Sequence, residues 1–104
     1  MAIDPDAITL EETDSKGRYL YRQDGALAEM TFSRAGAGLI IIDHTEVPAA
    51  FRGQGVGPAL VARAVADARA AGKHILPLCP FAASQFRRHP EWRDLLQPRK
   101  GAST

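Results

Sequence analysis

An arginine followed by three alternating glycines is the most informative chemical pattern in the sequence: Arg52 and residues 53–57 read RGQGVG. An alanine-rich segment with helical spacing follows. The first N–H groups of a helix lack internal partners, and the helix dipole adds partial positive charge at the same end. Glycines let a ligand approach the backbone closely, and an arginine adds a charged fork suited to phosphate oxygens. This pattern predicts a phosphate or pyrophosphate site.

Two common phosphate loops are excluded by the residues that follow. A nucleoside-triphosphate P-loop ends in Gly-Lys-Ser/Thr, whereas Gly57 is followed by Pro58 and Ala59. The dinucleotide fingerprint requires a third glycine three residues after the second, and Pro58 occupies that position after Gly55. The strands predicted before the loop are also antiparallel hairpins, not the start of a βαβ unit.

Strand patterns precede the loop at residues 7–13, 18–23, 26–33 and 39–47. Asp24 and Gly25 predict a type I′ hairpin turn, because both central positions of that turn take positive φ. The run LIII, residues 39–42, is apolar at every position, which predicts a central strand covered on both faces. Pro48 should end this strand, since it cannot donate a ladder hydrogen bond.

Helical spacing extends over residues 55–71, and Gly72 is well suited to the position after a helix end. Residues 74–81, HILPLCPF, are typical of a short apolar strand, and short helices are predicted over 81–88 and 90–96. A helix that joins neighbouring strands makes those strands parallel. The predicted fold is therefore α+β: antiparallel strands leading to a central strand, then a helix, a parallel strand and short C-terminal helices.

The chain has 104 residues, 45% hydrophobic and 24% charged, with a formal net charge of +1. These values predict one globular domain, residues 1–97, with a flexible tail at 98–104, and argue against a nucleic-acid-binding protein. No apolar run is long enough to span a membrane and no secretory signal is visible, so a cytoplasmic location is expected. A single cysteine, Cys79, excludes an internal disulfide, and no metal site is predicted.

The spacing Arg-x-x-Gly-x-Gly, at Arg52, Gly55 and Gly57, resembles the coenzyme A pyrophosphate loop of the GNAT superfamily of N-acetyltransferases. The flanking stretches HTEVPAAFRGQGVGPALV, PLCPF and HPEW, in that order, are similar to small, single-domain GNAT-like proteins. The resemblance covers about residues 18–96. It implies acetyl-CoA as cosubstrate and an amine as acceptor.

The resemblance also implies where the cosubstrate lies. The pantetheine arm would pair with backbone near Glu46 and Val47, between two strands that splay apart, and the pyrophosphate would contact the glycine loop. The thioester would then lie near His44, Glu46 and Cys79, where an amine attacks it directly. The expected cofactor-binding residues are Val47, Arg52, Gly53, Gln54, Gly55, Val56 and Gly57.

Two departures from larger family members bear on the chemistry. Only a short turn separates the first two predicted strands, so two helices that help to shape the acceptor site in larger members have no room. The acceptor pocket should be open or differently built. No tyrosine follows Tyr21, and Phe86 has no hydroxyl, so the tyrosine that often serves as general acid is absent or replaced.

The roles of the reactive residues stay open at this level. His44 and Glu46 share a strand face by period 2, so they could handle a proton together or form an ordinary solvated pair. Cys79 could be a nucleophile, a proton donor to the departing sulfur, a residue lining the site, or a buried small hydrophobe. His89 and Trp92 are most simply a helix-end cap and a packing anchor.

An acetyl-CoA-dependent N-acetyltransferase is therefore the expected function, with an acceptor amine that the sequence does not identify. The alternative is a non-catalytic module that binds or senses acyl-CoA. A protein-interaction domain with a vestigial loop is disfavoured by the intact Arg52 and glycines. A monomer or weak homodimer is expected.

Overall fold

The computed structural model describes residues 3–96, in which five strands follow one another across a single sheet in chain order. The first four strands pair as antiparallel neighbours, and the fifth runs parallel to the fourth. This topology confirms the predicted α+β fold. The strands are β1 (Thr9–Glu12), β2 (Lys16–Gln23), β3 (Ala26–Arg34), β4 (Leu39–Glu46) and β5 (His74–Pro77).

The parallel connection from β4 to β5 is made by the long helix α1 (Val56–Ala71). Helix α2 (Pro80–Arg88) follows β5, and short 3-10 turns lie at Pro5–Ala7, Ala49–Phe51 and Pro90–Leu95. The predicted strand over 74–81 is therefore half as long as expected, because α2 begins within it. Among the described residues, no helix is both long and apolar enough to cross a membrane.

Three positive-φ residues confirm turn predictions. Asp24 and Gly25 have φ values of 52° and 82°, as a type I′ hairpin turn requires. Gly72 has φ 70° and its N–H donates to the carbonyls of Ala68 and Arg69, which ends α1.

The core lies on one face of the sheet. Apolar residues of α1 and α2 pack there against Met30, Ile42 and Ile75, all of which are fully buried. In the run LIII, Ile40 and Ile42 are buried, whereas Leu39 and Ile41 are only half-buried. The prediction that both faces of β4 are covered is therefore wrong: within residues 3–96, both α-helices contribute to a single core on one side.

A β-bulge interrupts the pairing of β3 with β4. Phe32 pairs with Ile42, but the next residue back, Thr31, pairs with His44, so Asp43 is an extra residue in β4. Such a bulge places two consecutive side chains on the same side of the sheet. Asp43 and His44 are both exposed on the face that the helices leave uncovered, which we call the open face.

A buried hydroxyl ties α1 to the sheet. Tyr19 is 2% exposed, and its O–H donates to Asp67 Oδ2 at 2.8 Å. Asp67 also accepts from Arg63 Nε at 3.1 Å. Burial, followed by the hydrogen bond to the Asp67 carboxylate, raises the pKa of Tyr19 far above its usual range, so the phenol stays protonated and donating.

Replacing Tyr19 with phenylalanine is expected to lower the free energy of unfolding by about 0.5–1.5 kcal/mol, the usual net value of one hydrogen bond. Tyr21→Phe is the matched control, because the Tyr21 hydroxyl donates to Gln23 Oε1, at 3.1 Å, on the same strand. Urea titrations of both variants measure the difference. Equal losses in the two variants would contradict a specific role for the Tyr19–Asp67 contact.

Candidate functional site

Strands β4 and β5 part beside the end of β5. Their pairing ends at Ile42 and Pro77, after which the N–H groups of Leu78 and Cys79 both lie 3.1 Å from the Ile42 carbonyl oxygen. The chain then turns into α2, with Pro80 at the start of the helix. In the described part of the chain, residues 43–46 of β4 consequently pair with no strand on the β5 side. This parting leaves an opening between two parallel strands.

A cavity of about 330 Å³ joins this opening to the glycine loop. One wall comes from the end of β4 and another from the loop and the start of α1, so the structure brings together two features that lie apart in the sequence. The lining residues are Thr45, Val47, Phe51, Arg52, Gly53, Gly55, Val56, Gly57, Pro58 and Phe81.

The three glycines of the loop are needed for different structural reasons. Gly53 and Gly55 have φ values of 80° and 75°, and nothing lies within 4 Å of the Cβ that either would carry. A Cβ on Gly57 would instead lie 2.8 Å from Cζ of Phe81, so this glycine admits the Phe81 ring. Gly53 and Gly55 shape the loop, whereas Gly57 allows α1 and α2 to approach each other.

The start of α1 offers free donors to the cavity. The Ala59 N–H donates to the Gly55 carbonyl at 3.0 Å and closes the first helical turn. The N–H groups of Val56 and Gly57, at the first two helical positions, precede any acceptor within the helix. Arg52 is exposed beside them. Amide donors, the helix dipole and a guanidinium together favour an anion at this end of the cavity.

Cys79 lies beside Thr45, a residue of the cavity lining, and precedes the first residue of α2. The residue is 5% exposed, and its Sγ lies 3.4 Å from Thr45 Oγ1. Burial acts to raise the pKa of the Cys79 thiol, but its hydrogen bonds with Thr45 and with the backbone of Ala82 and Phe81 outweigh this effect. The pKa of Cys79 is therefore lowered from its ordinary value.

His44 and Glu46 lie on the open face. They pair with Thr31 and Glu29, and both are exposed, which confirms that they share a strand face. Thr45, between them, points to the helix-covered face and Cys79. The structure therefore does not bring His44, Glu46 and Cys79 together on one side; the backbone of β4 separates the two exposed residues from the thiol.

Sequence reasoning missed four residues that line the cavity: Thr45, Phe51, Pro58 and Phe81. The period-2 rule that paired His44 with Glu46 also assigns Thr45 to the opposite face, so this residue could have been found. Phe51 is buried and packs edge-on against Tyr21, with ring centroids 5.2 Å apart. Neither phenylalanine has a sequence signal that distinguishes it from an ordinary core residue.

His89 and Trp92 confirm their predicted structural roles. His89 is the residue after α2, and its ring stacks on Trp92 with centroids 4.0 Å apart. Trp92 packs edge-on against Phe86 at 5.4 Å. These rings anchor the C-terminal turn to α2, away from the residues that line the cavity.

An antiparallel sheet that ends in two parting parallel strands, with a glycine loop at the start of the intervening helix, is the fold of GCN5-related N-acetyltransferases. Residues 18–95 match the GCN5-related N-acetyl-transferase family, and the chain belongs to this family. The match spans three quarters of the chain and includes the glycine loop, the opening and Cys79.

A solved structure with the same fold supports this assignment. The chain is similar to a GCN5-like candidate N-acetyltransferase from Staphylococcus aureus, determined by NMR in solution. The two share 28% sequence identity with a TM-score of 0.65, over 90% of this chain and 92% of that one. Among proteins with curated functions, none matches the chain.

Proposed function

We propose that the protein is a cytoplasmic acetyl-CoA-dependent N-acetyltransferase. The cavity that runs from the glycine loop to the opening between β4 and β5 carries this proposal. An anion-binding end and an apolar channel leading to a gap in the sheet suit a cosubstrate with a pyrophosphate at one end and a thioester at the other. Family membership supports the reaction class.

The lining residues divide by chemistry along the cavity. Arg52 and the amides of Val56 and Gly57 would bind the pyrophosphate, while Phe51 and Phe81 would offer apolar walls to the pantetheine arm. The β5-side edge of residues 43–46, which pairs with no strand in the described residues, would offer backbone hydrogen-bonding groups to the amides of the pantetheine arm. Thr45 and Cys79 lie at the end nearest the opening.

The separation of Cys79 from His44 and Glu46 supports direct attack. The amine nitrogen bonds to the carbonyl carbon and loses a proton toward His44 or Glu46 on the open face. The C–S bond then breaks, and the departing sulfur takes a proton from the Cys79 thiol on the helix-covered face. Acid and base thus act from opposite sides of the sheet, and Cys79 replaces the missing tyrosine.

A base on the acceptor side answers a specific energetic need. A lysine-like amine has a pKa of about 10.4, so obtaining its free base at pH 7 costs about 4.6 kcal/mol at about 1.36 kcal/mol per pKa unit. General-base assistance offsets part of this cost.

Replacing Arg52 with alanine is expected to weaken CoA binding by about 1.5–3 kcal/mol, the range for a hydrogen bond to a charged group. Arg22→Ala removes the same charge from an exposed position near the end of β2, outside the residues that line the cavity, and its binding should stay unchanged. Isothermal calorimetry with CoA measures both. Similar losses in the two variants would indicate a diffuse charge effect in place of a contact.

The proposed function itself is tested by incubating the protein with acetyl-CoA and a panel of amines and following free thiol. Thiol release that depends on the amine supports the transferase. Tight acetyl-CoA binding without release from any amine would favour the alternative, a non-catalytic acyl-CoA binding or sensing module.

A further inference from the structure

A second cavity, of about 500 Å³, lies on the open face of the sheet. Its walls come from β1 to β4 and include the side chains of Glu11, Arg18, Thr31 and Asp43. The register places Glu11, Arg18, Thr31 and His44 side by side across the four strands. The cavity therefore extends from the β1–β2 hairpin to Asp43, the residue next to His44 in β4.

The position of the first cavity determines which side an acceptor can use. Thr45, Phe51 and Val56 place the proposed cosubstrate on the helix-covered side of β4. An amine that reaches the thioester must then arrive from the open face, past His44. The bulge turns Asp43 toward the same face, beside His44 and within the wall of the second cavity.

Most of the charged side chains in the second cavity form ion pairs, but among the described residues the Asp43 carboxylate does not. Arg18 is held by Glu11 at 2.9 Å and by Glu29 at 3.5 Å, and Glu12 is paired with Arg34. Asp43 accepts a hydrogen bond from the Ser33 hydroxyl at 2.6 Å. Within residues 3–96, no cationic side chain lies within 4.0 Å of its carboxylate. Asp43 is thus the carboxylate of this wall that lacks a counter-charge.

We propose that the open-face cavity is the acceptor site and that Asp43 binds a second ammonium group of the acceptor, which is a short alkyl diamine. This rests on the proposed function, because the other nitrogen must meet a thioester in the opening. Lys16 lies in the far wall of the same cavity, which disfavours a long polyamine with several further charges. The diamine would span from Asp43, past His44, to the gap between β4 and β5.

Asp43→Asn tests the proposal with little disturbance, since asparagine keeps an oxygen that can accept the Ser33 hydroxyl. The variant is expected to raise the KM of a short diamine about tenfold or more, as removal of a charge-assisted contact does. The KM of a monoamine of equal chain length and the Kd of acetyl-CoA should stay within about twofold. Asp24→Asn, in the exposed β2–β3 turn, is the charge-matched control.

Equal effects of Asp43→Asn on the diamine and the monoamine, or no effect on either, would overturn the proposal. A readout independent of turnover is the NMR titration of the CoA-saturated protein with the diamine. The amide resonances of Thr31 and of residue 43 should shift in the wild type and not in Asp43→Asn. Shifts confined to other residues, or no shifts, would also overturn the proposal. Failure of acetyl-CoA to bind would instead contradict the proposed function, while the same titration without CoA still tests the ammonium site.

Discussion

Gly55→Val is expected to abolish measurable binding of CoA and acetyl-CoA. Gly55 precedes α1 with φ 75°, and the space around its missing Cβ is empty to 4 Å. A valine there would place methyl groups beside the Val56 and Gly57 amides, where the pyrophosphate is proposed to bind. Losing two or more charge-assisted hydrogen bonds at about 1.5–3 kcal/mol each weakens binding by a hundredfold or more.

Strain at a positive-φ position is separated from blockage by a matched variant. Gly36, in the β3–β4 turn, has φ 78° and the same open surroundings. Gly36→Val should therefore lose a similar amount of stability, of the order of 1–3 kcal/mol, and retain CoA binding. Calorimetry on both variants below their unfolding temperatures decides the matter. Wild-type affinity in Gly55→Val would show that the phosphate site lies elsewhere.

Cys79→Ala is expected to lower kcat by about a hundredfold or more, the lower end of what a general acid contributes, with little change in acetyl-CoA affinity. The Cys79 thiol must be protonated to act as an acid, so the rate should fall as pH rises through its pKa. Thr45→Val removes a hydrogen bond that helps to lower this pKa. The alkaline limb of the pH–rate profile should therefore move to higher pH in Thr45→Val.

Mass spectrometry separates this role from covalent catalysis. With acetyl-CoA alone, direct attack predicts no stoichiometric acetyl group on Cys79. An adduct that forms as fast as turnover, and disappears when amine is added, would establish the thiol as nucleophile and overturn direct attack. Unchanged turnover in Cys79→Ala would leave the residue a packing role only.

Local signals predicted most of the fold. Asp24-Gly25 favours the positive φ values of a type I′ hairpin turn, and the apolar spacing of residues 55–71 fits a helix, so both could be predicted from neighbouring residues. The early end of β5 was not predicted, although Pro77 and Pro80 carry the same signal that Pro48 gave for the end of β4. The run LIII led to the wrong prediction that both faces of β4 are covered. The sequence does not distinguish an apolar side chain on the open face from one beneath a second layer.

In the candidate site, only the features that depend on neighbouring residues in the sequence could be predicted. The spacing of Arg52, Gly55 and Gly57 specified the loop, and alternation placed His44 with Glu46. The contact between Cys79 and Thr45 depends on where β5 leaves β4, and the side chain of Asp43 reaches the open face through a bulge. Strand register decides both, and no local pattern in the sequence records it.

The chain-order arrangement of the strands has a consequence for how the molecule gains stability. The pairs β1–β2, β2–β3 and β3–β4 each join strands connected by a short turn, so these contacts close small loops and can form early. The β4–β5 pair has to await the ordering of α1 between them. The proposed cosubstrate would bind the glycine loop and the opening, both of which depend on α1 and the β4–β5 pair. By mass action, a higher cosubstrate concentration would then suppress local unfolding of α1 and β5. The β1–β4 hairpins would be protected from hydrogen exchange whether or not the cosubstrate is bound.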